Sequence, residues 1–305
     1  MKNGLLQHLK PREKLFSFLA FLTLGWLLAQ IVSILLCQYV FDIDITSYNF
    51  IDFTRIDVIR LNKILNLVSH IFMFLLPAVI FVKLVSFEPY EFVLNKKPSK
   101  KIWFVLPVVF VGLTVLNELL FNLNHSINFT FISKEFQESL EYKQAIKSKA
   151  IYSYVGTTWK SFFANMFLLA LVPAIGEELT FRGVLQHLTG KFFGNVNAGV
   201  IVSAFIFAFI HFQPFNFLPI FTLGLLYGFI VMYSGSIWIS IILHFANNAL
   251  SVILMHSGRY YNWDFQTTIW TDLILVSISL VVILLFVKKY PQASKWNETK
   301  GIYLR

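Results

Sequence analysis

The sequence predicts an all-α fold, a polytopic transmembrane helix bundle of about eight spanning helices. Three observations predict it. Hydrophobic residues make up 57% of the 305 positions and charged residues only 13%, against about 25% charged in a soluble domain. Apolar runs recur that are long enough to cross a bilayer core, which takes about 20 residues. Lysine and arginine gather mainly at the ends of those runs, as the positive-inside rule expects. The net charge is +9, from 25 basic and 16 acidic residues. The basic residues form no single stripe, so a nucleic-acid partner is not expected. With one cysteine, Cys37, there is no intrachain disulfide, and a cysteine metal site is not expected.

The first run, Leu15–Val40, follows a basic N-terminus and far exceeds the ~7–15 residues of a signal-peptide core, so it reads as a retained helix. The remaining spans are expected near Ile64–Val85, Ile102–Asn122, Phe162–Leu188, Val196–Phe212, Phe217–Tyr233, Ile237–His256 and Ile269–Val287. Pro214 and the turn Ser234-Gly235-Ser236 punctuate the later ones. Basic residues before the first helix, at 96–101, at Lys191 and in the tail fall on one side of an even helix count. Both termini are therefore expected in the cytoplasm. Residues 123–161 fall on the opposite side. Their mixed charges and spaced aromatics predict an amphipathic interfacial helix. No internal repeat is seen, so residues 1–305 read as one membrane domain.

Chemistry-bearing residues lie on three of the predicted spans. The fourth carries Glu177-Glu178-Leu179-Thr180-Phe181-Arg182. A charge at the centre of a spanning helix costs about 2.5–3.5 kcal/mol on insertion scales and is functional by default. Glu178 and Arg182 are four apart and share a face. Glu177, about 100° away around the helix, points elsewhere. The fifth span carries Phe207-Ala208-Phe209-Ile210-His211, and the seventh His244-Phe245-Ala246-Asn247-Asn248. Taken singly, each polar residue also fits a structural role as interhelical glue. At ~1.5 Å per residue from the flanking turns, Glu177 lies roughly 20 Å deep, His211 roughly 25 Å, His244 roughly 12 Å and Asn248 roughly 18 Å. All four fall within the hydrocarbon core and are able to converge.

A carboxylate base with an imidazole can activate water, and an imidazole with an amide can donate to an oxyanion. One glutamate and two histidines are equally a ligand set for catalytic zinc. The residues fit both chemistries; if metal-dependent, the ligands are Glu177, His211 and His244. With Glu178 assigned to Arg182, these helices offer no further carboxylate to orient the histidines, which favours the metal-free reading.

The order E-E-x-x-x-R, F-x-x-x-H and H-x-x-x-N on three membrane helices resembles the CAAX-protease and bacteriocin-processing family, also called the abortive-infection family. It includes Rce-type CAAX prenyl endopeptidases and lysostaphin-resistance-type proteins. The likeness covers about residues 164–255, the expected catalytic core, and no motif position departs from it. It implies an intramembrane endopeptidase in which Glu177 and His211 activate water, His244 and Asn248 stabilise the oxyanion, and Glu178 and Arg182 support the site. It implies membrane lipid and a membrane-associated peptide or lipoprotein substrate as partners, and leaves metal dependence open. The competing functions are a non-catalytic scaffold or bacteriocin-immunity factor of the same fold, and a transporter using the carboxylates as an ion relay. The absence of duplicated halves argues against the transporter.

Overall fold

The computed structural model describes residues 4–85, 102–156 and 158–261, together with Trp270, Leu273, Ile274, Ser277, Ile278 and Val281. In chain order the helices are α1 (Pro11–Leu35, extended by a π-helical turn to Val40), α2 (Ile56–Val85), α3 (Ile102–His125), α4 (Lys134–Tyr154), α5 (Trp159–Phe193), α6 (Val196–Ile210), α7 (Phe217–Ser234) and α8 (Ile237–Tyr261). Among the described residues, six helices are long and apolar enough to cross a membrane: α1, α2, α3, α5, α7 and α8. The protein is an integral membrane protein. Large apolar side chains such as Phe16, Trp26, Phe104, Phe163 and Phe209 are exposed on the helix surfaces, as a lipid-facing bundle requires.

Seven of the eight expected spans coincide with a described helix, and one of the seven differs in kind. The expected fifth span is a 15-residue helix, α6, that stops at Ile210. Gly194 (φ 62°) turns the chain into it and Phe212 (φ 49°) turns the chain out of it. His211 is consequently a C-terminal cap rather than a mid-helix residue. The eighth expected span, 269–287, lies mostly outside the described residues, as do the basic loop at 96–101 and the basic tail.

Two apolar clusters organise the bundle. One joins α1, α2, α5 and α6 through Leu15, Phe18, Phe81, Phe181, Leu185 and Phe207. The other joins α3, α7 and α8 through Leu106, Val109, Leu113, Tyr227, Ile239 and Leu243. Backbones come closest where small residues meet, because association within lipid depends on close packing rather than on a hydrophobic drive. At the α5–α6 crossing a Cβ on Gly199 would lie 2.5 Å from the Gln186 carbonyl oxygen and 2.7 Å from Gly190 Cα. Neither atom is a flexible side chain that can yield. Gly199→Val is therefore expected to destabilise the protein by about 1–3 kcal/mol or more. Gly258→Ala serves as control, since nothing lies within 4 Å of its added methyl. Thermal unfolding in detergent checks both; a Gly199→Val protein melting with the wild type would contradict the crossing.

Helix α4 has the mixed charge the sequence predicts. Ser133 caps it by accepting from the Phe136 amide, and Lys134 pairs with Glu138 at 3.7 Å. Its far end is held inward. Lys63 Nζ from α2 and Asn165 Nδ2 from α5 both donate to the Tyr154 carbonyl, at 2.6 and 2.8 Å. Burial pushes the Tyr154 phenol up to about 12.

Candidate active site

The site is built on α5. Two π-helical turns interrupt this helix, Met166–Leu171 and Leu179–Leu185, and the α-helical segment Val172–Glu178 between them carries both glutamates. Such insertions re-aim the residues that follow and are frequent at functional sites. Glu177 and Glu178 are both buried, and they face different neighbours.

Glu178 is fully buried at 0% exposure and faces Arg182, at 1%. Their ion pair is 2.7 Å between Arg182 Nη1 and Glu178 Oε1. Arg182 Nη2 also donates to the Gly224 carbonyl at 3.2 Å. The guanidinium stands over the Phe207 ring at 4.5 Å and the Tyr227 ring at 5.5 Å. Those rings belong to different apolar clusters, so one cation ties the two halves of the bundle. The same Glu178 Oε1 lies 2.8 Å from His244 Nδ1. A carboxylate only accepts, so Nδ1–H donates and Nε2 is left facing the site. This corrects the expectation that pairing with Arg182 uses Glu178 up: one oxygen serves Arg182 and also orients His244. Sequence spacing reveals the pair within α5 but not the approach of α8.

Glu177 points into a group of imidazoles. Its Oε2 lies 3.8 Å from His244 Nε2, and its Oε1 lies 3.6 Å from His70 Nδ1. His211 lies within electrostatic reach of Glu177 and His244. The His211 ring is fixed from behind by Nδ1, 2.6 Å from the Phe207 carbonyl one turn back. The turn beyond it is tied to α3, where Asn124 donates to the Pro214 carbonyl at 2.8 Å and accepts from the Leu218 amide at 2.7 Å. Asn248 is half-buried one turn beyond His244, and its Oδ1 faces Asn247 Nδ2 at 3.5 Å. The structure thus sets His244 beside Glu177, with His211 interacting electrostatically with both. It sets Asn248 on the next turn of the His244 face.

Two further residues near the site lie outside the three motifs. His70 comes from α2; His70 and Lys83 are the only titratable residues between Ile64 and Val85. An ionisable group in such a run is itself a functional signal, which the motif pattern overshadows. Lys147 comes from α4 and interacts electrostatically with Glu177 and His211. It sits two turns before the tethered Tyr154, and hence on a similar face. Burial pulls the Lys147 ammonium below its ordinary value of 10.5, while the Glu177 carboxylate pushes it up.

A lysine with a depressed folded-state pKa destabilises the fold fully below that pKa, and the cost vanishes as pH rises to the unfolded value. Lys147→Met should accordingly melt higher than wild type around pH 7. The gap should close as the pH approaches 10.5. Melting curves across that range check this, and a gap that stays constant would contradict it.

Among the described residues, no three His, Cys, Asp or Glu side chains are gathered closely enough to hold a metal ion. The chemistry considered below uses the protein's own groups.

Residues 159–250 match the family model described as "Type II CAAX prenyl endopeptidase Rce1-like". The matched segment runs from the start of α5 into α8 and contains Glu177, Glu178, Arg182, His211, His244 and Asn248. A search of the curated proteins and one of the solved structures found no match.

Proposed function

Because residues 159–250 resemble the Rce1-like type II CAAX prenyl endopeptidases, we propose that the protein is an intramembrane endopeptidase whose nucleophile is a water activated by Glu177. The observation that carries this reading is Glu177 itself: a buried carboxylate, free of the Glu178–Arg182 pair, with its two oxygens facing two imidazoles. The family supports endopeptidase activity in general; the assignment of roles is our own.

In this mechanism Glu177, assisted by His211, takes a proton from water as the water oxygen bonds to the scissile carbonyl carbon. Negative charge develops on the carbonyl oxygen. In this step His244 carries both ring protons, Nδ1–H donating to Glu178 and Nε2–H to the oxyanion, and Asn248 donates its amide from the next turn. The C–N bond then breaks as Glu177 returns the proton to the leaving amine nitrogen. Arg182 neutralises Glu178 and so fixes the His244 ring.

The substrate class is a membrane-associated peptide or lipoprotein, because Glu177 and His244 lie in mid-helix positions of an apolar bundle. The orientation we propose, with both termini cytoplasmic, rests on the placement of basic residues. Mass-spectrometric mapping of new C-termini in membranes from cells with and without the protein tests the activity. Products that appear only with the protein present support it; identical maps would overturn it.

A further inference from the structure

We propose that His70 is a positioning residue for Glu177: an imidazole supplied by α2, outside the family-matched segment, that holds one carboxylate oxygen so that the other faces the reacting water. The inference rests on the reading of Glu177 as the base. The two Glu177 oxygens are divided between partners, Oε1 at 3.6 Å from His70 Nδ1 and Oε2 at 3.8 Å from His244 Nε2. His70 Nδ1 is buried and has no hydrogen-bond partner in this arrangement. A buried donor left unsatisfied is costly. Shortening the Glu177 contact by about 0.4 Å brings it within the ordinary range for a nitrogen–oxygen bond.

The α2 backbone is docked where this requires. His70 immediately precedes the π-helical turn Ile71–Leu75. The Phe74 carbonyl in that turn accepts from Thr180 Oγ1 at 3.0 Å, three residues beyond Glu177. A Cβ added to Gly176 would lie 3.5 Å from Phe74 Cβ, so α2 runs against the helix face beside Glu177. The His70 ring is steadied by Phe74, with centroids 5.7 Å apart. With Oε1 engaged by His70 from one side, the lone pairs of Oε2 remain for the proton of the attacking water. His244 from α8, His211 after α6 and Lys147 from α4 complete the groups around the same carboxylate.

The test compares His70→Phe and His70→Met, which lack the donor, with His70→Asn, whose amide nitrogen can occupy the Nδ1 position. Two measurements are made on detergent-purified protein of verified melting temperature. The first is labelling of Glu177 by dicyclohexylcarbodiimide, a lipid-soluble reagent for protonated carboxyl groups, located by mass spectrometry with Glu177→Gln as blank. Labelling should be several-fold faster without the donor and near wild type in His70→Asn. The second is steady-state cleavage of a substrate found by C-terminal mapping. There kcat should fall at least tenfold in the donor-less variants with KM within about twofold, a split expected when an interaction acts on the chemical step. His70→Asn should recover most of it. Wild-type labelling rates in folded His70→Phe or His70→Met would overturn the proposal, as would unchanged kcat. Faster labelling in a protein that cleaves nothing would support the His70–Glu177 coupling and overturn the protease reading instead.

Discussion

Glu178→Gln should cost the protein much of its stability. The substitution keeps the shape of the side chain but removes the counter-charge of Arg182, which is 1% exposed. The Gly224 carbonyl and the rings of Phe207 and Tyr227 would remain around the guanidinium, and none of them carries a negative charge. Breaking a buried ion pair from one side typically costs about 3–5 kcal/mol, because the surviving charge stays desolvated. That is a large share of the ~5–15 kcal/mol that holds a typical domain folded. The double variant Glu178→Gln with Arg182→Met removes both charges and should recover most of the loss. Thermal or denaturant unfolding in one detergent compares the three proteins. A single variant that melts with the wild type, or a double variant no better than the single, would contradict the assignment of Arg182 as the cation joining the two clusters.

The neighbouring substitution should behave oppositely. Glu177→Gln is expected to lower cleavage by roughly 10²–10⁴-fold, the usual contribution of a positioned acid–base group, while the protein inserts and folds. Gln retains an acceptor and a donor for His70 and His244 but cannot take up the water's proton. Neither histidine is a permanent cation, so no fixed charge is stranded, in contrast to Arg182. Melting temperature should therefore hold or rise, since a charge has been removed from an apolar bundle. Two adjacent glutamates, differing by about 100° around one helix, thus separate activity from stability. A Glu177→Gln protein with full activity would end its assignment as base.

Why adjacent residues divide so cleanly was legible in the sequence, and several other features were not. The i, i+4 spacing of Glu178 and Arg182 is a property of one helix, and the ion pair forms at 2.7 Å. The apolar runs marked seven described helices because length and hydropathy are also local. What the sequence did not reveal depends on contacts between helices. The approach of His244 from α8 to Glu178, 66 positions earlier in the chain, follows from packing around Tyr227 and Phe207. His70 reaches Glu177 from a helix that carries none of the motifs. The end of α6 at Ile210 was obscured because the apolar composition runs on through Phe212. The break comes instead from the left-handed backbone of Phe212 and from Asn124, which ties the following turn to α3.

In the proposed mechanism Glu177 activates a water which hydrolyses a peptide bond within the membrane. Cleavage of an identified membrane peptide by purified protein in lipid vesicles prepared in ¹⁸O-enriched water tests this directly. Wild type and Glu177→Gln are compared at equal folded amounts. Wild-type products should carry ¹⁸O from solvent in their new C-terminal carboxylate, and product formation by Glu177→Gln should be lower by roughly 10²–10⁴-fold. Equal rates in the two proteins, or wild-type products lacking the solvent label, would contradict it.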